Sequence, residues 1–266
     1  MTTEPSLLVE QRGAIDILTL NRPAALNALS EQLVDDLIAY FTHAHDRFNV
    51  RVILLRGAGR GFCAGLDLKD WKNDGSRGAV QHSWRTQRKI AQVMRLMRSC
   101  PQPIIALGHG SACGGGFSLM LASDVRYGAP SLRMNAAYIK IGLGGCDIGS
   151  SYFLPRLVGA SIASEFLLTG NFMSAERALS CNLISAIVAE ENLLDKGLAL
   201  ATDMLSNAPM GLRLTKDALN VNIDANGFDA ALSVEDRQQV MLTATSDHAE
   251  AINAFLEKRP TLYKDS

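Results

Sequence analysis

The apolar positions of this chain change period several times. Leu7, Leu8 and Val9 lead to an Arg12-Gly13 turn, and Ile15-Asp16-Ile17-Leu18-Thr19-Leu20 follows with partial alternation, which predicts a β-hairpin over residues 6–20. Asn21-Arg22-Pro23 stops it. Ser30 then caps a helix in which Leu33, Val34, Leu37, Ile38 and Phe41 recur at helical spacing, with Asp35 and Asp36 early where the helix dipole favours them. Val52-Ile53-Leu54-Leu55, ending at Gly57, predicts a strand buried on both faces. A glycine-rich loop (57–65) and a polar segment around Asn73-Asp74-Gly75-Ser76 precede a helix over 81–98. A second buried strand is expected from Pro103 to Leu107, a buried helix over 114–122, and strand pieces over 124–128 and 132–134.

From about residue 150 the period is helical: 150–158, 161–168 and 174–180, then one apolar strand from Leu183 to Val188. Asn207-Ala208-Pro209 breaks the helical pattern before 210–221, and Gly227 breaks it again before 229–244 and 247–257. The expected class is α/β, with a catalytic body over 1–200 and a helical C-terminal region over 201–266. Val240, Leu242, Ile252, Phe255 and Leu256 give that region more apolar surface than a pair of helices buries, so it should pack on the body or on a neighbouring copy.

Composition narrows the function classes. Apolar residues make up 47% of the 266 and charged residues 20%, so a packed core is expected rather than a disordered chain. A net charge of −1 offers no basic excess for nucleic acid. The five cysteines form no C-x-x-C pair, which disfavours a zinc ribbon or a disulfide framework and suits a reducing cytoplasm. Glu4 and Glu10 stand where an export signal would need cations and an apolar run. No Asp, Glu, Lys or Arg occurs from Ser99 to Ser123, but two prolines and Gly108-His109-Gly110 make this a strand, a turn and a buried helix rather than a membrane span.

No G-x-S-x-G or Walker motif occurs, and the only close histidine pair, His43 and His45, diverges at i,i+2 on a helix. Two glycine-rich segments remain. They are Gly61-Phe62-Cys63-Ala64-Gly65-Leu66-Asp67-Leu68-Lys69 and Gly110-Ser111-Ala112-Cys113-Gly114-Gly115-Gly116-Phe117-Ser118-Leu119. Glycine lets backbone N–H groups approach a ligand, and a helix N-terminus leaves such groups unpaired. Two of them aimed at one point form an oxyanion hole; tight turns and close helix packing are the other reading of the same glycines.

With Leu20-Asn21-Arg22-Pro23, Leu26-Asn27-Ala28-Leu29, Leu154-Pro155-Arg156-Leu157-Val158-Gly159 and Ala254-Phe255-Leu256-Glu257-Lys258-Arg259, these segments form an ordered set. In that order the sequence resembles the crotonase (enoyl-CoA hydratase/isomerase) superfamily. The resemblance implies a crotonase-like spiral of ββα turns with a C-terminal helical trimerisation region. It implies a homotrimer or dimer of trimers acting on acyl-CoA thioesters, in fatty-acid or related acyl-CoA breakdown. Coenzyme A would enter as part of the substrate, with no separate cofactor and no metal. The oxyanion N–H groups would be those of Leu66 and Gly115, beside Gly114. The carbonyls of Ala64, Leu66 and Leu68 would line the adenine pocket. Asp67 either contacts ligand or holds the loop, and Lys69 either reaches a phosphate or is a solvated lysine. Tyr263 and Lys264 would approach a neighbour's nucleotide.

The resemblance departs at the chemistry. The two glutamates of the best-known hydratases correspond to Ser118 and Tyr138, and the lysine common after Asn-Arg-Pro corresponds to Ala24. Ser118 either orients a water or is a small helix residue, and Tyr138 either donates to substrate or forms a wall. Asp147, in Gly142-Leu143-Gly144-Gly145-Cys146-Asp147-Ile148-Gly149, stands near the catalytic aspartate of relatives that shift double bonds. Leu143, Ile148 and Phe153 are expected to limit its solvation; the other reading is an N-cap on the 150–158 helix. The implied activity is hydratase/isomerase-type through a stabilised enolate. A double-bond isomerase or an acyl-CoA hydrolase using Asp147, and a catalytically silent acyl-CoA-binding protein, are the alternatives. Arg77, Arg85, Arg88, Lys89, Arg95 and Arg98, opposite Ile90, Val93, Met94 and Met97, read as the solvated face of an amphipathic helix or as modest support for a phosphate-bearing ligand.

Overall fold

A computed structural model describes residues 4–73, 75–76 and 78–266; Asp74 and Arg77 lie outside the described residues. The expected hairpin is β1 (Leu7–Arg12) and β2 (Ile15–Leu20), with Leu7 opposite Leu20 and Arg12 opposite Ile15. Ser30 caps α1 (Glu31–Ala44), its Oγ accepting the Leu33 amide at 3.1 Å. The chain crosses to β3 (Val52–Gly57), then through α2 (Ala79–Ser99) to β4 (Ile104–Gly108), each new strand parallel to the last. The Ser99–Ser123 stretch thus becomes β4, a short β5 (Ser111–Cys113) and a fully buried α3 (Gly115–Ala122). Among the described residues no helix is long and apolar enough to cross a membrane.

After α3 come β6 (Val125–Gly128) and β7 (Arg133–Asn135), then α4 (Ser150–Val158) and α5 (Ala160–Thr169). β8 (Met173–Ser174), α6 (Ala175–Ser180), β9 (Ala186–Ile187) and α7 (Leu193–Leu205) follow. The strands form a six-stranded sheet in the order β1-β2-β3-β4-β6-β9 and a three-stranded sheet in the order β5-β7-β8. The chain therefore steps twice from the large sheet to the small one, β4 to β5 and β6 to β7. Parallel pairing buries β3 and β4 on both faces, one against α1, α2 and α3 and the other against α7, which explains their unbroken apolar runs, while the antiparallel edge strand β1 is exposed beyond Leu7.

One expectation needs correction. The strand foreseen from Leu183 to Val188 shrinks to Ala186–Ile187, because the Leu183 and Ile184 amides both turn back to the Ala178 carbonyl to close α6. α7 runs through position 200, and residues up to Leu205 pack on the sheet. Beyond it stand α8 (Pro209–Asn222), α9 (Phe228–Thr243) and α10 (Ser246–Glu257). Buried Lys216 fastens α8 to the body, donating to the carbonyls of Met97 (3.1 Å) and Gln102 (2.8 Å) and pairing with Asp124 at 2.9 Å.

Candidate active site

The two glycine-rich segments lie side by side. The Cys63 amide donates to Ser111 O (3.0 Å) and the Cys113 amide to Cys63 O (2.9 Å). Nothing larger than hydrogen fits where they touch: a Cβ on Gly65, whose φ is +95°, would fall 2.8 Å from the Cys113 carbonyl, and one on Gly116 would overlap Cys63. That same Gly65 Cβ position is 3.4 Å from the Gly115 amide nitrogen, so the Leu66 and Gly115 peptides are neighbours. Neither the Leu66 nor the Gly115 N–H donates to an acceptor among the described residues. Gly115 opens α3, where unpaired amides carry the positive end of the dipole. Burial pushes the Cys63 thiol up to about 12, which leaves it inert beside this corner.

Residues 21–30 clamp the first segment. Asn27 is fully buried at φ +56°; its Nδ2 donates to the carbonyls of Ala58 and Gly61, both at 2.8 Å, and its Oδ1 accepts the Arg22 amide at 2.9 Å. The Leu29 amide donates to Gly65 O (2.7 Å), and Leu29 O accepts the Asp67 amide (3.1 Å) and the Trp71 indole (2.8 Å). Asp67 serves this clamp: it pairs with Arg22 at 2.8 Å and accepts the Lys69 amide at 3.2 Å. Desolvation raises its carboxyl, but the Arg22 hydrogen bond, the Lys69 amide and both charges outweigh that and hold it below the ordinary carboxylate range. Leu68 and Lys69 are exposed, and the carbonyls of Ala64, Leu66 and Leu68 accept no hydrogen bond among the described residues. Truncating Asn27 to Ala should lower unfolding stability by about 3 kcal/mol, because it strands buried carbonyls and an amide. Urea denaturation followed by far-UV circular dichroism measures this.

Ser118 and Tyr138 meet behind Gly114. Ser118 is fully buried on α3, with Oγ 3.3 Å from the Tyr138 hydroxyl, and the Tyr138 ring stands 3.5 Å from where a Gly114 Cβ would be. Burial raises the Tyr138 hydroxyl above its ordinary range despite opposing hydrogen bonds with Ser118 and Ser150. The phenol therefore stays protonated near neutral pH and is able to donate a hydrogen bond.

Asp147 does not cap α4. The residue before that helix is Gly149, and the Asp147 carboxylate turns back on its own loop, Oδ1 accepting the Ile148 amide at 2.7 Å. The same oxygen accepts Gln87 Nε2 from α2, and the Asp147 amide donates to Ser150 Oγ at 3.0 Å. Oδ2 has no hydrogen-bond partner among the described residues. Leu143 is 55% exposed, and the Ile148 side chain turns toward α3, its Cδ1 3.8 Å from where a Gly115 Cβ would be. Gln87 and Ser150 were not foreseen. Gln87 sits on the polar face of an amphipathic helix, where its sequence context equals that of any solvated glutamine.

The basic face of α2 is mixed. Lys89 pairs with Glu31 (2.9 Å) and Asp35 (2.8 Å), and Arg98 with Asp124 (3.3 Å), so part of it is tied to the body. Among the described residues no group of three or more His, Cys, Asp or Glu comes together as a metal site.

Two free amides and a carboxylate with one free oxygen stand on this two-sheet α/β body, groups chemically able to hold a carbonyl oxygen and to move a proton. Residues 10–266 match the family model described as Enoyl-CoA hydratase/isomerase, and the chain belongs to that family. It is 36% identical over 260 residues to a probable enoyl-CoA hydratase, echA12, of Mycobacterium leprae, covering 96% of this chain and 88% of that one. It is 34% identical over 242 residues to the 1,2-epoxyphenylacetyl-CoA isomerase of Escherichia coli, covering 91% and 92%. Among solved structures, an enoyl-CoA hydratase from Bacillus anthracis superposes with a TM-score of 0.92 at 31% identity, over 98% of this chain and 100% of that one.

Proposed function

We propose that this protein is an acyl-CoA isomerase that moves a double bond through an enolate. The observation that carries the reading is the free carboxylate oxygen Asp147 Oδ2, in the loop whose next residue, Ile148, packs beside Gly115, with hydroxyls at 118 and 138 bonded to each other. Hydration needs one group to activate water and another to deliver a proton. Ser118 and Tyr138, in place of the expected glutamates, supply no second base. Isomerisation needs only one.

In the proposed reaction the thioester oxygen accepts the two amide hydrogens. Asp147 Oδ2 takes a proton from the α-carbon of a β,γ-enoyl thioester. The electron pair moves onto the carbonyl oxygen as a dienolate, and the same proton returns to the γ-carbon. Each amide contributes about 3 kcal/mol where the negative charge develops. The adenine end would meet the unused carbonyls of Ala64, Leu66 and Leu68, and coenzyme A enters and leaves with the substrate. A β,γ-enoyl-CoA mixed with the protein should gain the absorbance of a conjugated enoyl thioester, with no 3-hydroxyacyl-CoA by chromatography. Hydration of crotonyl-CoA at a comparable rate would overturn the isomerase reading, and binding without turnover would leave a silent acyl-CoA-binding protein.

The same reading takes the two sheet-to-sheet steps as turns of a spiral and the tail as a trimerisation region. Val240, Phe255 and Leu256 are 71%, 83% and 71% exposed on α9 and α10, a poor arrangement for a lone chain in water. The protein should behave as a trimer or dimer of trimers in light scattering; a mass of 28.7 kDa at micromolar concentration would contradict this.

A further inference from the structure

A cavity of about 1060 Å³ opens between α2, α4 and α8. It adjoins the loop that carries Asp147, since Ile148 and Gly149 line it and Gln87, the partner of Asp147, forms part of its wall. The near walls are apolar and aromatic, with Trp84, Met94, Phe153 and Leu214. Its charged lining is lopsided: five cations, Arg88, Arg95, Arg98, Arg213 and Lys216, against one carboxylate, Asp217.

Three of those cations already have counterions. Arg98 and Lys216 share Asp124, and Arg213 holds Asp265 at 2.5 Å. Among the described residues Arg88 and Arg95 have no carboxylate partner; Arg88 lies 5.6 Å above the Trp84 ring. Arg95 stands eight residues beyond Gln87 on α2, about 12 Å at the helical rise. Both side chains are exposed, so they are open to an anion that enters the chamber.

We infer that the chamber takes a medium-length acyl chain ending in a carboxylate, with Arg95, assisted by Arg88, receiving that carboxylate. The inference rests on the thioester reading above and adds the substrate class: a half-thioester of a dicarboxylic acid. A terminal carboxylate would give these exposed guanidinium groups a planar, two-oxygen partner that an apolar chain lacks. The phosphates of coenzyme A are the other anions that such arginines can hold.

The test is calorimetric binding of two saturated, unreactive ligands, decanoyl-CoA and the decanedioyl-CoA half-thioester, to the full chain. The half-thioester should bind about tenfold tighter, the weight of one hydrogen bond to a charged group. The ratio should collapse towards one in Arg95→Gln and largely return in Arg95→Lys. Equal affinity in the unmodified protein, or a ratio that Arg95→Gln leaves unchanged, overturns the inference. So does an equal loss for both ligands in Arg95→Gln, which would place the arginine on the nucleotide phosphates. Because neither ligand reacts, these outcomes are independent of the isomerase assay, whose failure alone would remove the chemistry and leave the chain preference standing.

Discussion

Replacing Gly115 by proline should cut turnover by about 10²–10³-fold, the usual weight of one oxyanion donor. Proline removes the N–H and suits the first position of a helix, which Gly115 occupies in α3. Its ring also adds a Cβ, which would fall 2.6 Å from Leu29 Cδ1, the end of a flexible side chain. Gly115→Ala adds the same Cβ and keeps the N–H, so the difference between the two variants isolates the hydrogen bond. Turnover in a folded Gly115→Pro protein equal to that of Gly115→Ala would end the oxyanion assignment.

Asp147→Asn should lower turnover by about 10²–10⁴-fold, the share of a general base, with little change in melting temperature. The amide oxygen of asparagine can still accept the Ile148 N–H and Gln87 Nε2. Only the proton-accepting oxygen is lost, replaced by an NH₂ that cannot act as a base. The pair of measurements on one variant separates a chemical role from a structural one. Full activity would send the search for a base away from this loop.

Much of the fold was legible because it rests on local periodicity. β3 and β4 announced themselves as unbroken apolar runs, and α1 by its Ser30 cap. β5 and β8, three and two residues long, were missed because strands so short show no alternation; long-range pairing in the small sheet creates them. The glycine segments could be read because only glycine tolerates the close approach at Gly65 and Gly116. How Asp147 is held could not. A turn back onto Ile148 and a reach from Gln87, sixty positions away, leave no pattern in neighbouring residues. The same holds for Asn27, whose partners at 58 and 61 come from another loop.

The clamp around Asn27 and the wall formed by α2 and α8 have different tolerances to change. The corner between the two glycine-rich segments is fixed by backbone hydrogen bonds, a buried asparagine and glycines that admit no Cβ, so most substitutions there should cost stability. The far wall is made of half-exposed side chains on helix surfaces, where most replacements cost little stability. If the proposed site and chamber hold, a lineage carrying this chain can exchange one acyl preference for another by drift along two helix faces, while the part proposed to handle the thioester stays as it is.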